Sequence, residues 1–250
     1  PFLRSRGSPE DLLNLVILLP YNSEKAFEII RKRKNEIAAV FTEPIQGSNP
    51  KEDDINFMRE LRAITEECNI LLAFDEIITG GRLSLGGFQK KYGIFADLAS
   101  YGKIFGGGLP LGIVGGNEEI MQTVKDPGVR GDIDKSSKPV ILGGTFTGNP
   151  LTLASANAVL ESLNKHADDI YTYINTAGER IRSEINNFCI ENQIAARMYG
   201  IGSICRLIFT DKTIKSARDR DRLEAPKALQ SRFYQNLLEK KIYVAGNRLM

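Results

Sequence analysis

Short apolar runs alternate with amphipathic stretches through the first half of the chain, and this alternation constrains the fold more than any other feature. Apolar runs cover residues 14–19, 37–42 and 70–74, and a weaker one covers residues 96–101. Between the second and third runs, apolar residues recur at helical spacing over residues 55–68. Strands that are apolar on both faces and separated by helices predict an α/β fold with a mostly parallel sheet covered by helices.

Charged residues follow three of these runs. Glu43 comes after the second run, Asp75 after the third, and Lys103 shortly after the fourth. Because ligands of parallel sheets bind beyond the carboxyl ends of the strands, we expect these side chains at one edge of the sheet. Glycines also cluster between residues 80 and 144, which favours a ligand-binding surface at that edge over a set of simple turns.

The second half of the chain predicts two long helices followed by a smaller unit that mixes helix and strand. Asn149 followed by Pro150 is a strong helix start, because proline suits the first helical position. The expected elements are helices at 150–164, 170–188 and 226–240 and strands at 201–209 and 242–245. We therefore predict a large domain at residues 1–165 and a small C-terminal α+β domain at residues 166–250.

Composition excludes several classes of protein. Lys and Arg number 33 against 31 Asp and Glu, and a net charge of +2 lacks the basic excess expected of a nucleic-acid-binding protein. No run approaches the ~18 apolar residues of a membrane span, and no secretory leader is visible. Three scattered cysteines favour reduced thiols and a cytoplasmic protein. With His166 as the single histidine, we predict neither a metal site nor a Ser-His-Asp triad.

Four motifs, in order along the chain, carry the chemistry. They are Thr42-Glu43-Pro44-Ile45-Gln46-Gly47, Asp75-Glu76-Ile77-Ile78-Thr79-Gly80, Ser100-Tyr101-Gly102-Lys103 with the glycines Gly106-Gly107-Gly108, and Gly143-Gly144-Thr145-Phe146-Thr147-Gly148-Asn149-Pro150. Together they resemble the class III, fold type I aminotransferases that use pyridoxal 5'-phosphate (PLP), through most of residues 14–250. Members of that family are much longer, so the resemblance implies that both domains are incomplete here.

The resemblance assigns the two catalytic roles to Lys103 and Asp75. Lys103 would form a Schiff base with the PLP aldehyde, which requires desolvation to lower the ordinary lysine pKa of ~10.4 and free the amine. Asp75 would pair with the pyridine nitrogen and keep it protonated, so that the ring can accept electrons from the substrate. PLP is accordingly the expected cofactor.

The resemblance also implies the rest of the cofactor site. Ile77 would lie against the ring face. Thr145, beside Gly144, would bind the phosphate from a neighbouring subunit, which implies a homodimer. The remaining cofactor-binding candidates, placed near the site, are Glu43 and Gln46.

Local sequence narrows the subfamily. Gly86-Gly87-Phe88-Gln89 and Tyr92-Gly93-Ile94 resemble aminotransferase domains of nonribosomal peptide and polyketide synthases, which are similar to glutamate-1-semialdehyde 2,1-aminomutase. Ser48 stands where ornithine-type members carry Glu, which disfavours a basic ω-amino substrate. We expect transfer of an amino group from an amino acid donor to a keto acceptor, a β-keto acyl chain on a carrier protein. A free-standing aminomutase and a non-catalytic fragment that keeps the fold are the alternatives.

Overall fold

The computed structural model of the protein describes residues 9–52, 54–125, 140–141, 143–214, 217–244 and 248–249. Its α-helices are α1 (Glu24–Lys32), α2 (Asp54–Glu67), α3 (Gly87–Tyr92), α4 (Glu118–Met121), α5 (Pro150–Lys165), α6 (Ala167–Glu191), α7 (Ala217–Leu223) and α8 (Lys227–Glu239). Its strands are β1 (Ala39–Thr42), β2 (Leu71–Asp75), β3 (Leu98–Gly102), β4 (Gly112–Gly116), β5 (Val124–Lys125), β6 (Val140–Ile141), β7 (Arg197–Ile201), β8 (Ile204–Ile208) and β9 (Arg248–Leu249). Short 3₁₀ helices cover Glu10–Leu15, Lys34–Glu36 and Lys103–Gly106.

Four strands form the sheet that positions the candidate site, in the order β1-β2-β3-β4. β1 pairs with β2 and β2 with β3 in parallel, whereas β4 pairs with β3 antiparallel. The register places Asp75 at the end of β2 opposite Ser100 on β3. The predicted α/β fold with a mostly parallel sheet and flanking helices is confirmed, and it agrees with fold type I.

Apolar side chains from the first helices and the inner strands form one buried cluster. The rings of Phe27 on α1 and Phe57 on α2 stack with centroids 4.9 Å apart. Phe74 on β2 meets Phe88 on α3 edge to face at 5.7 Å. A fully buried side chain of this size contributes about 1.5–3 kcal/mol relative to exposure, so this cluster accounts for much of the sheet's attachment to its helices.

The C-terminal helices and the β7-β8-β9 sheet pack onto the first sheet through shared buried residues. Ile201 and Ile204 belong to the same apolar cluster as the first sheet's core. Asn175 on α6 donates a hydrogen bond to the Leu83 carbonyl at 3.3 Å, and the Ser203 hydroxyl bonds to the Arg82 carbonyl at 3.3 Å. The predicted boundary between residues 165 and 166 falls between α5 and α6, and the division into two domains stays a prediction.

Three predicted strands differ from the observed structure. The run at residues 14–19 ends a 3₁₀ helix and continues as irregular chain, because it forms no ladder with a neighbouring strand and an apolar run alone does not make one. The run at 201–209 is the second half of a hairpin, since β7 ends at Ile201 and Gly202 turns with φ +53°. Residues 242–244 are irregular, and residue 245 lies outside the described residues. Among the helices that the structure describes, none is long and apolar enough to span a membrane.

Candidate active site

Asp75 ends β2 with a carboxylate that its own turn holds in place. Its Oδ1 accepts hydrogen bonds from the Ile77 backbone N–H at 3.0 Å and from the Ser100 hydroxyl at 3.5 Å. The bond to the N–H two residues later is the local arrangement by which aspartate stabilises a turn. The Asp75 and Ile77 side chains are both half-buried, so they border the solvent at this edge of the sheet.

Lys103 follows β3 directly and begins the 3₁₀ helix Lys103–Gly106. Its side chain is exposed, and its backbone has φ +50°, in the left-handed region. Residues other than glycine adopt this region rarely, with Asn, Asp and His the most tolerant, so a lysine here is unusual. Such backbone strain concentrates at functional sites, where the surrounding structure holds it.

The ends of three adjacent parallel strands bring the predicted charged residues to one edge. Glu43 follows β1, Asp75 ends β2 and Lys103 follows β3. The Glu43 carboxylate accepts a hydrogen bond from the Gly47 N–H at 3.0 Å, which closes the turn that carries the half-buried Gln46. This placement agrees with the expectation from the strand order, and the roles of these side chains stay predictions.

The turn that carries Gly144 and Thr145 lies immediately before α5 and is exposed. Among the described residues its backbone hydrogen bonds are internal, such as that from the Thr147 N–H to the Gly144 carbonyl at 3.0 Å. Asn149 caps α5 by accepting a hydrogen bond from the Thr152 N–H at 3.1 Å, as its sequence position predicts. The turn is thus open to solvent or to a second molecule, and the phosphate role of Thr145 stays a prediction.

Sequence reasoning missed two carboxylates that hold the framework of the site. Asp97, before β3, accepts hydrogen bonds from the Leu72 N–H at 2.7 Å and from Arg62 at 2.9 Å, which ties β3 to β2 and α2. Glu76, next to Asp75, is fully buried. The sequence does contain a signal for Glu76, because it continues the every-second-residue pattern of buried side chains begun by Leu72 and Phe74.

Burial shifts the pKa of a tyrosine next to the candidate site and of a lysine on α3. Burial raises the pKa of Tyr101, the Glu76 carboxylate raises it further, and the hydrogen bond from Gln89 opposes this shift. Partial burial lowers the pKa of Lys91, with an opposing effect from Glu52.

The residues at this edge fit the chemistry that PLP requires. The cofactor needs an amine for its aldehyde and a carboxylate for its pyridine nitrogen. The structure supplies Asp75 and Lys103 at the ends of two hydrogen-bonded strands. Asp75 ends β2 and pairs with Ser100, and Lys103 lies three residues beyond Ser100, directly after β3. Ile77, half-buried beside Asp75, adds apolar surface of the kind that an aromatic ring packs against.

Comparison with known proteins identifies the family. A family model for class III aminotransferases matches residues 17–245. The chain belongs to this family. It is 35% identical over 249 residues to glutamate-1-semialdehyde 2,1-aminomutase of Methanococcus maripaludis strain C7, covering 98% of this chain and 54% of that protein. The family implies PLP as the cofactor.

Solved structures of transaminases share the fold. An omega-transaminase from Sphaerobacter thermophilus superposes with a TM-score of 0.83 at 26% identity, covering 98% of this chain and 54% of that one. A transaminase solved with PLP bound superposes with a TM-score of 0.79 at 22% identity, again covering 98% and 54%. The chain therefore spans about half the length of the relatives and structures that it matches.

Proposed function

We propose that this chain supplies the cofactor-binding lysine and aspartate of a PLP-dependent aminotransferase, which moves an amino group from an amino acid donor to a keto acceptor. The observation that carries the proposal is the placement of Asp75 and Lys103 at the ends of adjacent parallel strands. Membership of the class III family supports it. Bound PLP would supply an electron-accepting ring that stabilises negative charge on the substrate's α-carbon.

Lys103 and Asp75 have separate tasks in this proposal. Lys103 would hold PLP through its amine, with the aldehyde oxygen lost as water, and the same amine would be the group that moves a proton at the substrate carbon. The Asp75 carboxylate, which accepts a hydrogen bond from the Ile77 N–H at 3.0 Å, would bind the pyridine nitrogen and favour its protonated form.

Borohydride trapping tests the covalent role of Lys103. The purified chain is incubated with PLP, reduced and digested, and the labelled peptide is mapped by mass spectrometry. We expect the label on Lys103, its loss in Lys103→Ala, and its retention in Lys91→Ala. Lys91 is the control because it is another exposed lysine, on α3, and partial burial lowers the pKa of its amine. A label spread over several lysines and unchanged in Lys103→Ala would overturn the proposal.

The keto acceptor that we favour is a β-keto acyl chain on the carrier protein of a nonribosomal peptide or polyketide synthase. The Gly86–Gln89 and Tyr92–Ile94 segments support this choice, and Ser48 disfavours a basic ω-amino substrate. The competing candidate is an aminomutase acting on glutamate 1-semialdehyde, which the names of the curated relatives favour. Amino transfer to a carrier-bound β-keto substrate, with glutamate semialdehyde inert, would support the first candidate. The reverse result would support the second.

A homodimer completes the proposal. The exposed turn of residues 143–149, with Phe146 83% exposed, offers a surface by which one copy could reach the phosphate of PLP held by its partner. We expect sedimentation velocity to show a dimer and Thr145→Ala to weaken PLP binding without altering the sedimentation coefficient. A monomer that binds PLP as tightly with Ala at position 145 would contradict this arrangement.

The proposed location is the cytoplasm, in keeping with three free cysteines.

A further inference from the structure

A buried carboxylate lies directly behind the candidate site. Glu76 follows Asp75 in sequence and is 0% exposed. Its Oε2 accepts hydrogen bonds from the Thr79 hydroxyl at 2.9 Å and from the Phe88 N–H at 2.6 Å, and its Oε1 accepts one from the Gln89 amide at 3.0 Å. Because a buried carboxylate is costly unless several donors compensate it, this environment strongly favours one geometry.

Gln89 on α3 extends this network to the next strand. Its Nε2 donates to Glu76 and also to the Tyr101 hydroxyl at 2.9 Å. Its Oε1 accepts a hydrogen bond from the Ala96 N–H at 2.8 Å, which determines the orientation of the amide. Both amide hydrogens and the amide oxygen of Gln89 are engaged. Gln89 therefore joins Glu76, just after β2, to Ala96, just before β3, and to Tyr101 within β3.

The network reaches the two residues on which the proposed chemistry depends. Glu76 is adjacent to Asp75, and Tyr101 lies two residues before Lys103. The side-chain path from Glu76 through Gln89 to Tyr101 runs beside the backbone hydrogen bond from the Glu76 N–H to the Ser100 carbonyl, 2.9 Å long. A side-chain path and a backbone hydrogen bond therefore both join the end of β2 to the end of β3.

We propose that Glu76, Gln89 and Tyr101 are positioning residues that hold the ends of β2 and β3 so that Asp75 and Lys103 can engage one PLP molecule. This inference rests on the proposed function. It assigns a task to three side chains that the proposed function leaves without one. The Tyr101 hydroxyl is the best point to test, because its removal leaves the ring packed against Phe105 at 6.1 Å and disturbs the core least.

Tyr101→Phe is compared with Tyr92→Phe, which removes a hydroxyl from a half-buried tyrosine of α3 outside the network. Losing one hydrogen bond of ordinary strength corresponds to about a fivefold loss of affinity. We expect Tyr101→Phe to bind PLP about fivefold more weakly than Tyr92→Phe, while the ligand-free melting temperatures of the two variants agree within about 4 °C, the shift that one such hydrogen bond allows. Equal PLP affinity in the two variants would overturn the inference.

Hydrogen exchange separates this inference from the proposed function. In the ligand-free chain, peptides covering residues 75–80 and 100–107 should exchange about fivefold faster in Tyr101→Phe than in Tyr92→Phe, with other regions unchanged. If the wild-type chain takes no PLP on Lys103, the proposed function fails while exchange still reports whether the network holds the strand ends. Unchanged exchange at both segments would overturn the positioning role. Glu76→Gln is less informative, because its new side-chain NH2 group would face buried hydrogen-bond donors. That clash would lower the stability of the whole fold rather than test the network alone.

Discussion

Gly87→Ala and Gly93→Ala are matched substitutions that isolate the free energy by which the Glu76 carboxylate stabilises the fold. Gly87 begins α3 and Gly93 follows it, and both have φ +65°, so an added methyl group meets the same backbone penalty at each. The two positions differ in what the new Cβ would meet. At Gly93 nothing lies within 4 Å, whereas at Gly87 the Cβ would approach Glu76 Oε2 closer than 3.0 Å and would lie 3.0 Å from the Gly80 Cα.

The magnitude follows from these two environments. An alanine in the left-handed region costs about 1–2 kcal/mol, and this is the whole effect expected at Gly93. At Gly87 the Glu76 carboxylate must also move away from its hydrogen-bond donors Thr79 and Phe88. Weakening two hydrogen bonds to a charged group adds about 2–4 kcal/mol. We therefore expect Gly87→Ala to lower the free energy of unfolding by about 3–6 kcal/mol in total.

Urea unfolding followed by circular dichroism measures the difference between the two variants. In a chain of this size each kcal/mol shifts the melting temperature by about 2–4 °C, so thermal unfolding should separate the variants by about 4–16 °C. Unfolding free energies that agree within about 1 kcal/mol would refute the reasoning. Such agreement would mean that the Glu76 carboxylate shifts without losing its partners.

Two further predictions concern titration and backbone strain. Burial raises the pKa of Tyr92 and of Tyr234 to about 12. Since the unfolded value is ~10, the stability linked to these protons is complete below about pH 10 and is lost as the pH rises through 12. The chain has 0 Trp, so its ultraviolet absorbance reports tyrosine ionisation directly. In a pH titration, these tyrosines should ionise at higher pH in the native chain than in the urea-unfolded chain. Coincident titration curves would contradict the prediction. The free energy of unfolding of Lys103→Gly should exceed that of Lys103→Ala by about 1 kcal/mol, because only glycine relieves the φ of +50°. Urea unfolding should therefore show a higher midpoint for Lys103→Gly. Equal midpoints would show that this backbone is not strained.

The sheet and the position of the charged residues could be predicted because they depend on local patterns. An apolar run ending in a charge indicates both a buried strand and its carboxyl end, which is why Asp75 and Lys103 were expected at one edge. Apolar runs without such a charge are less reliable. Residues 14–19, which Pro20 follows, pair with no strand in the part of the chain that the structure describes. The run at residues 201–209 is divided by Gly202 into a hairpin. Strand pairing is a tertiary property, and local sequence does not report it.

The hydrogen-bond network behind the site could not be predicted for a related reason. Glu76, Gln89 and Tyr101 lie on three separate elements, and only the packing of α3 against the sheet brings them together. The exposure of the 143–149 turn also follows from tertiary structure. Motif order could therefore suggest candidate cofactor-binding residues, whereas local sequence gave no sign of the hydrogen bonds among Glu76, Gln89 and Tyr101.

The Asp75-Glu76 pair shows why two neighbouring carboxylates take different tasks. Successive side chains of a strand point to opposite faces, so Glu76 continues the buried face of Leu72 and Phe74, and Asp75 turns to the half-exposed side. A slip of one residue would exchange the two carboxylates, leaving Glu76 on the half-exposed face and Asp75 too short to replace it in the core. The donors around Glu76 oppose that slip, because each would lose its acceptor in a buried environment. The network that satisfies Glu76 therefore also determines which carboxylate the site presents.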